Sequence, residues 1–173
     1  MTERLDDVVA RRNGVTRSQA RSLIMEGRVR INGVPATKAG QNVARGAVIE
    51  IEEPRRFVSR GGEKLERALD AFSLDVRGRS GLDVGASTGG FTDCLLQRGA
   101  LRVTAVDVGY GQLDWKLRND PRVAVMERTN FRHLPDTAFP GGFDLIVIDA
   151  SFISLRTILA RAVTYLDRSG AVV

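Results

Sequence analysis

The stretch Gly81-Leu82-Asp83-Val84-Gly85-Ala86-Ser87-Thr88-Gly89-Gly90-Phe91-Thr92 decides the fold of this 173-residue chain. It reads as a short apolar strand, a turn of small residues and the opening of a helix. Gly85, Gly89 and Gly90 remove the side chains that would hold a ligand away from the backbone. The amides that open the helix add hydrogen-bond donors and a partial positive charge. The spacing is not the G-x-G-x-x-G of a dinucleotide fingerprint, because the position two after Gly85 is Ser87. Residues Gly85, Ala86, Ser87, Thr88, Gly89 and Gly90 are therefore read as a nucleotide cradle of a different kind. Asp83, inside the strand, organises that loop or meets an ammonium group of the ligand.

Downstream, strands alternate with helices, the pattern of a parallel α/β sheet. Val103–Asp107, Val123–Met126 and Phe143–Asp149 read as strands. Helices are expected over 112–119 and 155–166, and Gly170–Val173 starts one more strand. The strand ends then carry Gly85, Asp107, Glu127 and Asp149 along one edge, where such sheets bind ligands. Asp107, about twenty residues past the glycines, suits a ribose diol, which needs acceptors for two hydroxyl donors. Asn130 either pairs with an adenine edge or is a turn residue. Asp149 directly follows four apolar residues, Leu145 to Ile148, and is costly to bury unless paired. It or Ser151 caps the next helix, or Asp149 meets a cation, for which Lys64 is the candidate. The acids form no metal-ligand cluster.

Upstream lies a separate basic module. Leu5–Arg12 fits a short helix closed by Asn13-Gly14. Thr16-Arg17-Ser18-Gln19 is a capping-box sequence, followed by a helix burying Ala20, Leu23 and Ile24 and ending at Gly27. Val29–Ile31, Asn32-Gly33 and Val34 form a hairpin signal, and Val48–Ile51 a later strand. Arg4, Arg12, Arg17, Arg21, Arg28 and Lys38 crowd this region and suit a polyanion, although an ordinary solvated face would look similar. Residues 1–53 are read as one domain, 54–58 as a joint around Pro54, and 59–173 as the second domain. The second domain begins with an amphipathic helix whose inner face is Leu65, Ala68, Leu69 and Phe72.

Composition sets the outer limits. A hydrophobic fraction of 43% supports a packed core, and the net charge of +5 favours a polyanionic partner. No apolar run reaches bilayer length and no signal peptide opens the chain, so no membrane is expected. The single cysteine, Cys94, fits a reducing, cytoplasmic setting and reads as a buried hydrophobe. The lone histidine, His133, reads as a surface or turn residue without triad partners.

The string Arg4-Leu5-Asp6, Thr16-Arg17-Ser18-Gln19-Ala20-Arg21, Glu26-Gly27 and Ile31-Asn32-Gly33 resembles the alpha-L (S4-type) RNA-binding module. With Arg60-Gly61-Gly62-Glu63-Lys64-Leu65, the G-x-x-x-G-G-F-T loop and Asp149-Ala150-Ser151-Phe152, the whole chain resembles the TlyA hemolysin-related family. That family comprises rRNA 2′-O-methyltransferases with an FtsJ-like catalytic domain. The resemblance implies an α/β protein: a small α+β RNA-binding module, then a Rossmann-like sheet incomplete at its C-terminal end. It implies S-adenosylmethionine as cofactor and cytidine ribose of ribosomal RNA, within ribosomal subunits, as substrate. Asp83 would organise the loop or meet the methionine ammonium group. Lys64 and Asp149 match the first Lys and the Asp of the family's Lys-Asp-Lys-Glu tetrad. Arg55 and Phe57 match a linker pattern associated with cofactor binding.

The family's second Lys and its Glu lie beyond Val173, so the sequence reads as a C-terminally truncated record whose own turnover is in question. After Lys64 the only lysine is Lys116, expected near the cofactor side. A lysine of ordinary pKa near 10.4 is a poor base, so Lys64 reads as an orienting or electrostatic residue. Two other readings stand beside methyl transfer: a non-catalytic protein that binds RNA and cofactor, and a membrane-active hemolysin. The second is disfavoured by an aromatic content of 6% and the lack of a basic amphipathic helix with a broad aromatic face. Oligomeric state is not legible.

Overall fold

The computed structural model describes residues 2–53, 56–150 and 154–173. The chain divides into two compact units, Met1–Arg55 and Arg56–Val173.

The first unit opens with strand β1 (Thr2–Arg4) and helices α1 (Leu5–Asn13) and α2 (Arg17–Met25). Gly14, at φ +63°, ends α1 in the left-handed conformation that glycine adopts without penalty. The capping box is complete: Thr16 Oγ1 accepts from Gln19 N, and Gln19 Oε1 accepts from Thr16 N at 2.9 Å. Strands β2 (Val29–Ile31) and β3 (Val34–Pro35) form the expected hairpin, with Asn32 at φ +50° and Gly33 at φ +79°. Strand β4 (Asn42–Ala44) pairs with β1, a ladder the sequence did not announce, and β5 (Ile49–Ile51) pairs with β2. Leu5, Val8, Val9, Ala20, Ile24 and Val29 fill the core, while Leu23 is only partly buried.

The second unit runs α3 (Arg60–Ala71), β6 (Ser80–Val84), α4 (Gly90–Gln97), β7 (Arg102–Val106), α5 (Trp115–Arg118) and β8 (Val123–Met126). A single 3-10 turn (Phe131–His133), β9 (Phe143–Ile148), α6 (Leu155–Val163) and β10 (Leu166–Val172) complete it. The sheet is parallel throughout, in the order β10-β9-β6-β7-β8. The order of strand addition reverses at β6, with β7 and β8 laid down on one side and β9 and β10 on the other, so the topological switch point lies between β6 and β9 at their carboxyl ends. Period-two alternation divides the core. Leu145 and Val147 join Leu65, Leu69 and Leu95 on one face, and Leu82, Val84 and Ile146 join Ile158 and Tyr165 on the other.

Several expected elements change. The helix over 112–119 contracts to the four residues of α5, because Asp114 caps it by accepting from Lys116 N and the loop before it is held by other contacts. The helix over 155–166 stops at Val163, and Leu166 already pairs with Phe143. The β10 register then breaks between Leu166 and Ala171, and the regular ladder resumes at the glycine-led segment expected from sequence. Phe72 is 66% exposed because α3 ends there, and Leu74 packs on the core instead. Phe57, expected in the joint, is 2% exposed and belongs to the second unit's core. Among the described residues no helix is long and apolar enough to cross a membrane.

Candidate active site

The glycine loop sits at the carboxyl end of β6, where β9 lies on one side and β7 on the other. Gly85 and Ala86 donate their amides to Val106 O, which closes the turn against β7. Gly85 has φ +86°, and a Cβ there would stand 2.8 Å from the Asp149 carbonyl oxygen, a backbone atom that has no freedom to yield. Gly89 has φ +94°, and its missing side chain leaves room for Leu113 and Leu117. Ser87 N donates to Asp107 Oδ2 at 2.8 Å, so the acid ending β7 holds the loop from the side. Asp107 Oδ1 also takes Gly109 N at 2.7 Å. Each oxygen retains a lone pair for a further donor.

Asp83 is 1% exposed and points into the packing beneath the loop. Its Oδ2 accepts from Thr92 N at 2.9 Å and Thr92 Oγ1 at 2.7 Å, tying the strand to the first turn of α4. Its Oδ1 is buried with no hydrogen-bond partner among the described residues. Burial pushes the Asp83 carboxyl up to about 7, with the charges of Asp107 and Asp149 adding to the rise and the Thr92 bonds opposing it.

Two adjoining clefts open along this edge. The first, about 340 Å³, has an apolar floor of Val84, Val106 and Ile158 and a polar rim that includes Asp107, Gln112 and Asn130. The second, about 240 Å³, runs past Ser59, Thr88, Gly90 and Phe91. Gly85, Ser87 and Asp149 border both. At that seam Lys64 Nζ donates to Asp149 Oδ1 at 2.7 Å and lies 5.7 Å from the centre of the Phe91 ring. Helix α3 carries Lys64 there because its Leu65 and Leu69 face is buried, leaving Lys64 on the open side.

The chain belongs to the FtsJ-like methyltransferase family. That family matches residues 57–167, and the S4 domain family matches residues 3–49. The chain is TlyA-like. It is 51% identical, over 98% of its length and 65% of the relative's, to the 16S/23S rRNA (cytidine-2′-O)-methyltransferase TlyA of Mycobacterium tuberculosis. It is 44% identical, over 90% of its length and 65% of the relative's, to Hemolysin A of Brachyspira hyodysenteriae. A solved structure named as a hemolysin from Streptococcus thermophilus superposes with a TM-score of 0.68 at 44% identity, covering 99% of this chain and 64% of that one. The chain thus spans slightly under two thirds of the length of these relatives.

The sequence-predicted residues are distributed unevenly over this TlyA-like site. Gly85, Ser87, Asp107, Asn130 and Asp149 line the first cleft, and Ala86, Thr88 and Gly90 join at the second. Asp83 lines neither and acts on the loop from below, while Gly89 packs against α5. Asn130 caps the 3-10 turn by accepting from Arg132 N at 3.2 Å, and it also borders the cleft. Lys116 is not at the cleft; its Nζ donates to Asp93 Oδ2 at 2.9 Å. Cys94 is fully buried, with its thiol pushed up to about 12 by burial. Arg55, Ser151 and Phe152 lie outside the described residues. Gln112, Thr129 and Arg132 border the first cleft without having been singled out. Gln112, which accepts from Ser87 Oγ at 3.3 Å, had only its place after the Asp107 strand as a signal.

In the first unit, three of the six predicted RNA-facing cations are committed internally. Arg4 and Arg17 both grip the fully buried Asp6, whose carboxyl they hold down near 2, the Arg4 bonds contributing most. Arg28 donates to Glu52 O at 2.9 Å and pairs with Glu26. Arg12, Arg21 and Lys38 are exposed and make no ion pair among the described residues.

Proposed function

We propose that the protein uses S-adenosylmethionine to methylate the 2′-hydroxyl of a cytidine ribose in ribosomal RNA, working in the cytoplasm on ribosomal subunits. The observation that carries this reading is the Lys64–Asp149 pair at the seam of the two clefts. The donor set fits such a cofactor. The apolar floor of the first cleft suits a base, Asp107 suits a ribose diol, and the small-residue loop admits close approach. The unpartnered Asp83 oxygen leaves a buried acceptor beneath the loop, on the side proposed for the methionine end.

S-adenosylmethionine supplies an electrophilic sulfonium methyl group. The chain's task is to hold a ribose hydroxyl in line with that methyl and to exclude competing water. Asp149 fixes Lys64 Nζ, whose remaining N–H groups orient the hydroxyl and stabilise negative charge developing on its oxygen. In this reading residues 1–53 form the RNA-binding domain, 54–58 the joint and 59–173 the methyltransferase domain. Arg12, Arg21 and Lys38 make phosphate contacts, and Arg4, Arg17 and Arg28 support them while presenting their outer N–H groups.

The test is transfer of a labelled methyl group to unmodified ribosomal subunits. Lys64→Ala is expected to lower the rate by roughly 100-fold or more while leaving cofactor binding within a factor of about two. Normal transfer by the Lys64→Ala protein removes Lys64 from the mechanism.

A further inference from the structure

Asp93 is a buried carboxylate that lines neither cleft, yet it gathers donors from three parts of the second unit. It stands in the first turn of α4 and is 3% exposed. Its Oδ2 accepts from Val58 N at 2.8 Å and from Lys116 Nζ of α5 at 2.9 Å. Its Oδ1 accepts from Gln97 Nε2 at 3.0 Å, and the same Gln97 nitrogen donates to Arg56 O at 2.8 Å. Residues 56–58 and α5 are thereby fastened to one turn of one helix.

Of the two fastened segments, α5 presses on the glycine loop and residues 56–58 press on helix α3. Asp93 N itself donates to Gly89 O at 2.8 Å. Asp114 N, at the cap of α5, donates to Thr88 O at 3.1 Å, and Leu113 and Leu117 occupy the space beside Gly89. Phe57 packs against Gly62 of α3, the helix that carries Lys64. A loop of Gly, Ala, Ser and Thr has few side-chain contacts with which to fix its own shape. Its geometry must come from its neighbours. An apolar residue at position 93 would fill the same space without desolvating a charge, so the carboxylate points to a demand for defined position.

We propose that Asp93 is a positioning residue for the cofactor loop, clamping residues 56–58 and α5 onto α4 so that the loop keeps its ligand-ready shape. The inference rests on the reading of the clefts as a cofactor site. Lys116 is the second arm of the clamp, and its half-exposed side chain makes it the gentler place to cut.

The experiment uses the whole chain and radiolabelled S-adenosylmethionine in equilibrium dialysis, with amide hydrogen exchange as the second readout. Asp93→Asn is expected to weaken cofactor binding about tenfold, Lys116→Met about threefold, and Asp93→Glu is expected to restore most of the affinity. Exchange at residues 85–92 should accelerate in Asp93→Asn while β6, β7 and β9 stay protected. Should Asp93→Asn fail to fold, Lys116→Met carries the same comparison. Wild-type affinity in both variants overturns the clamp, as does faster exchange spread evenly over the sheet. A wild-type chain that binds no cofactor overturns the reading of the site and the clamp together.

Discussion

Replacing Asp83 by asparagine should flatten the pH dependence of the second unit's stability. The carboxyl titrates near 7 in the folded protein against an ordinary 3.8, with burial the main cause. Between those values the folded state binds more protons than the unfolded state. Stability therefore falls as pH rises through this window, being fully present below about 4 and lost above about 7. At about 1.4 kcal/mol per pKa unit the loss is about 4 kcal/mol when complete, of which roughly 3 kcal/mol develops between pH 5 and pH 9. Asparagine keeps an oxygen for the two Thr92 donors and has no charge to desolvate. It also buries an amide with no acceptor among the described residues, which costs about 1–3 kcal/mol at every pH. The difference in slope is thus cleaner than the difference in stability. Urea unfolding between pH 5 and pH 9, followed by circular dichroism and by the fluorescence of Trp115, the chain's single tryptophan, measures it. Wild type should lose roughly 3 kcal/mol more than Asp83→Asn across that range. Parallel curves would refute the burial argument.

Two further outcomes follow from local geometry. Gly85→Ala must place a Cβ 2.8 Å from a carbonyl oxygen at a positive φ, so a loss of about 2–4 kcal/mol is expected, read as a lower unfolding midpoint in urea. A midpoint within experimental error of wild type would show that the loop and Asp149 separate freely. In the first unit, replacing Arg12 and Arg21 together by alanine should reduce the salt slope of ribosomal RNA binding by roughly 1 to 2, with little change in unfolding, since both are exposed and neither forms an ion pair among the described residues. An unchanged slope would remove them from the phosphate contacts.

Much of this was legible locally. The capping box Thr16–Gln19, the Asn32-Gly33 hairpin and the strand-to-loop passage at Val84–Gly85 depend on residues close in sequence, so the chain announces them. Asp107 and Asp149 were legible because acids at the ends of parallel strands must share an edge. The errors have a common cause. Residues 112–119 have helical composition, but loop contacts and the Asp114 cap hold most of that span out of the helix. Phe57 looked like joint sequence because Pro54 and charges surround it, yet its ring finds a pocket made by Gly62. The β1–β4 ladder was invisible because three-residue strands carry too few alternations to register.

The sequence by itself determined that a basic helical module precedes a parallel α/β sheet with a small-residue ligand loop. Period, capping and glycine spacing are properties of neighbours along the chain. Only the tertiary structure decided the partnerships. Lys64, the partner the sequence proposed for Asp149, meets it across 85 positions, while the gathering of residues 58 and 116 on Asp93 had no sequence signal; both arise because helices packed on a sheet bring distant side chains together. It also sorted the charges. Lys116 and Asp93 are spent on each other, Arg4 and Arg17 on Asp6, and Asp83 is buried under its loop with one oxygen unpartnered. Charge can be counted from the sequence, but its effect depends on desolvation and distance, and those are set by the packed fold.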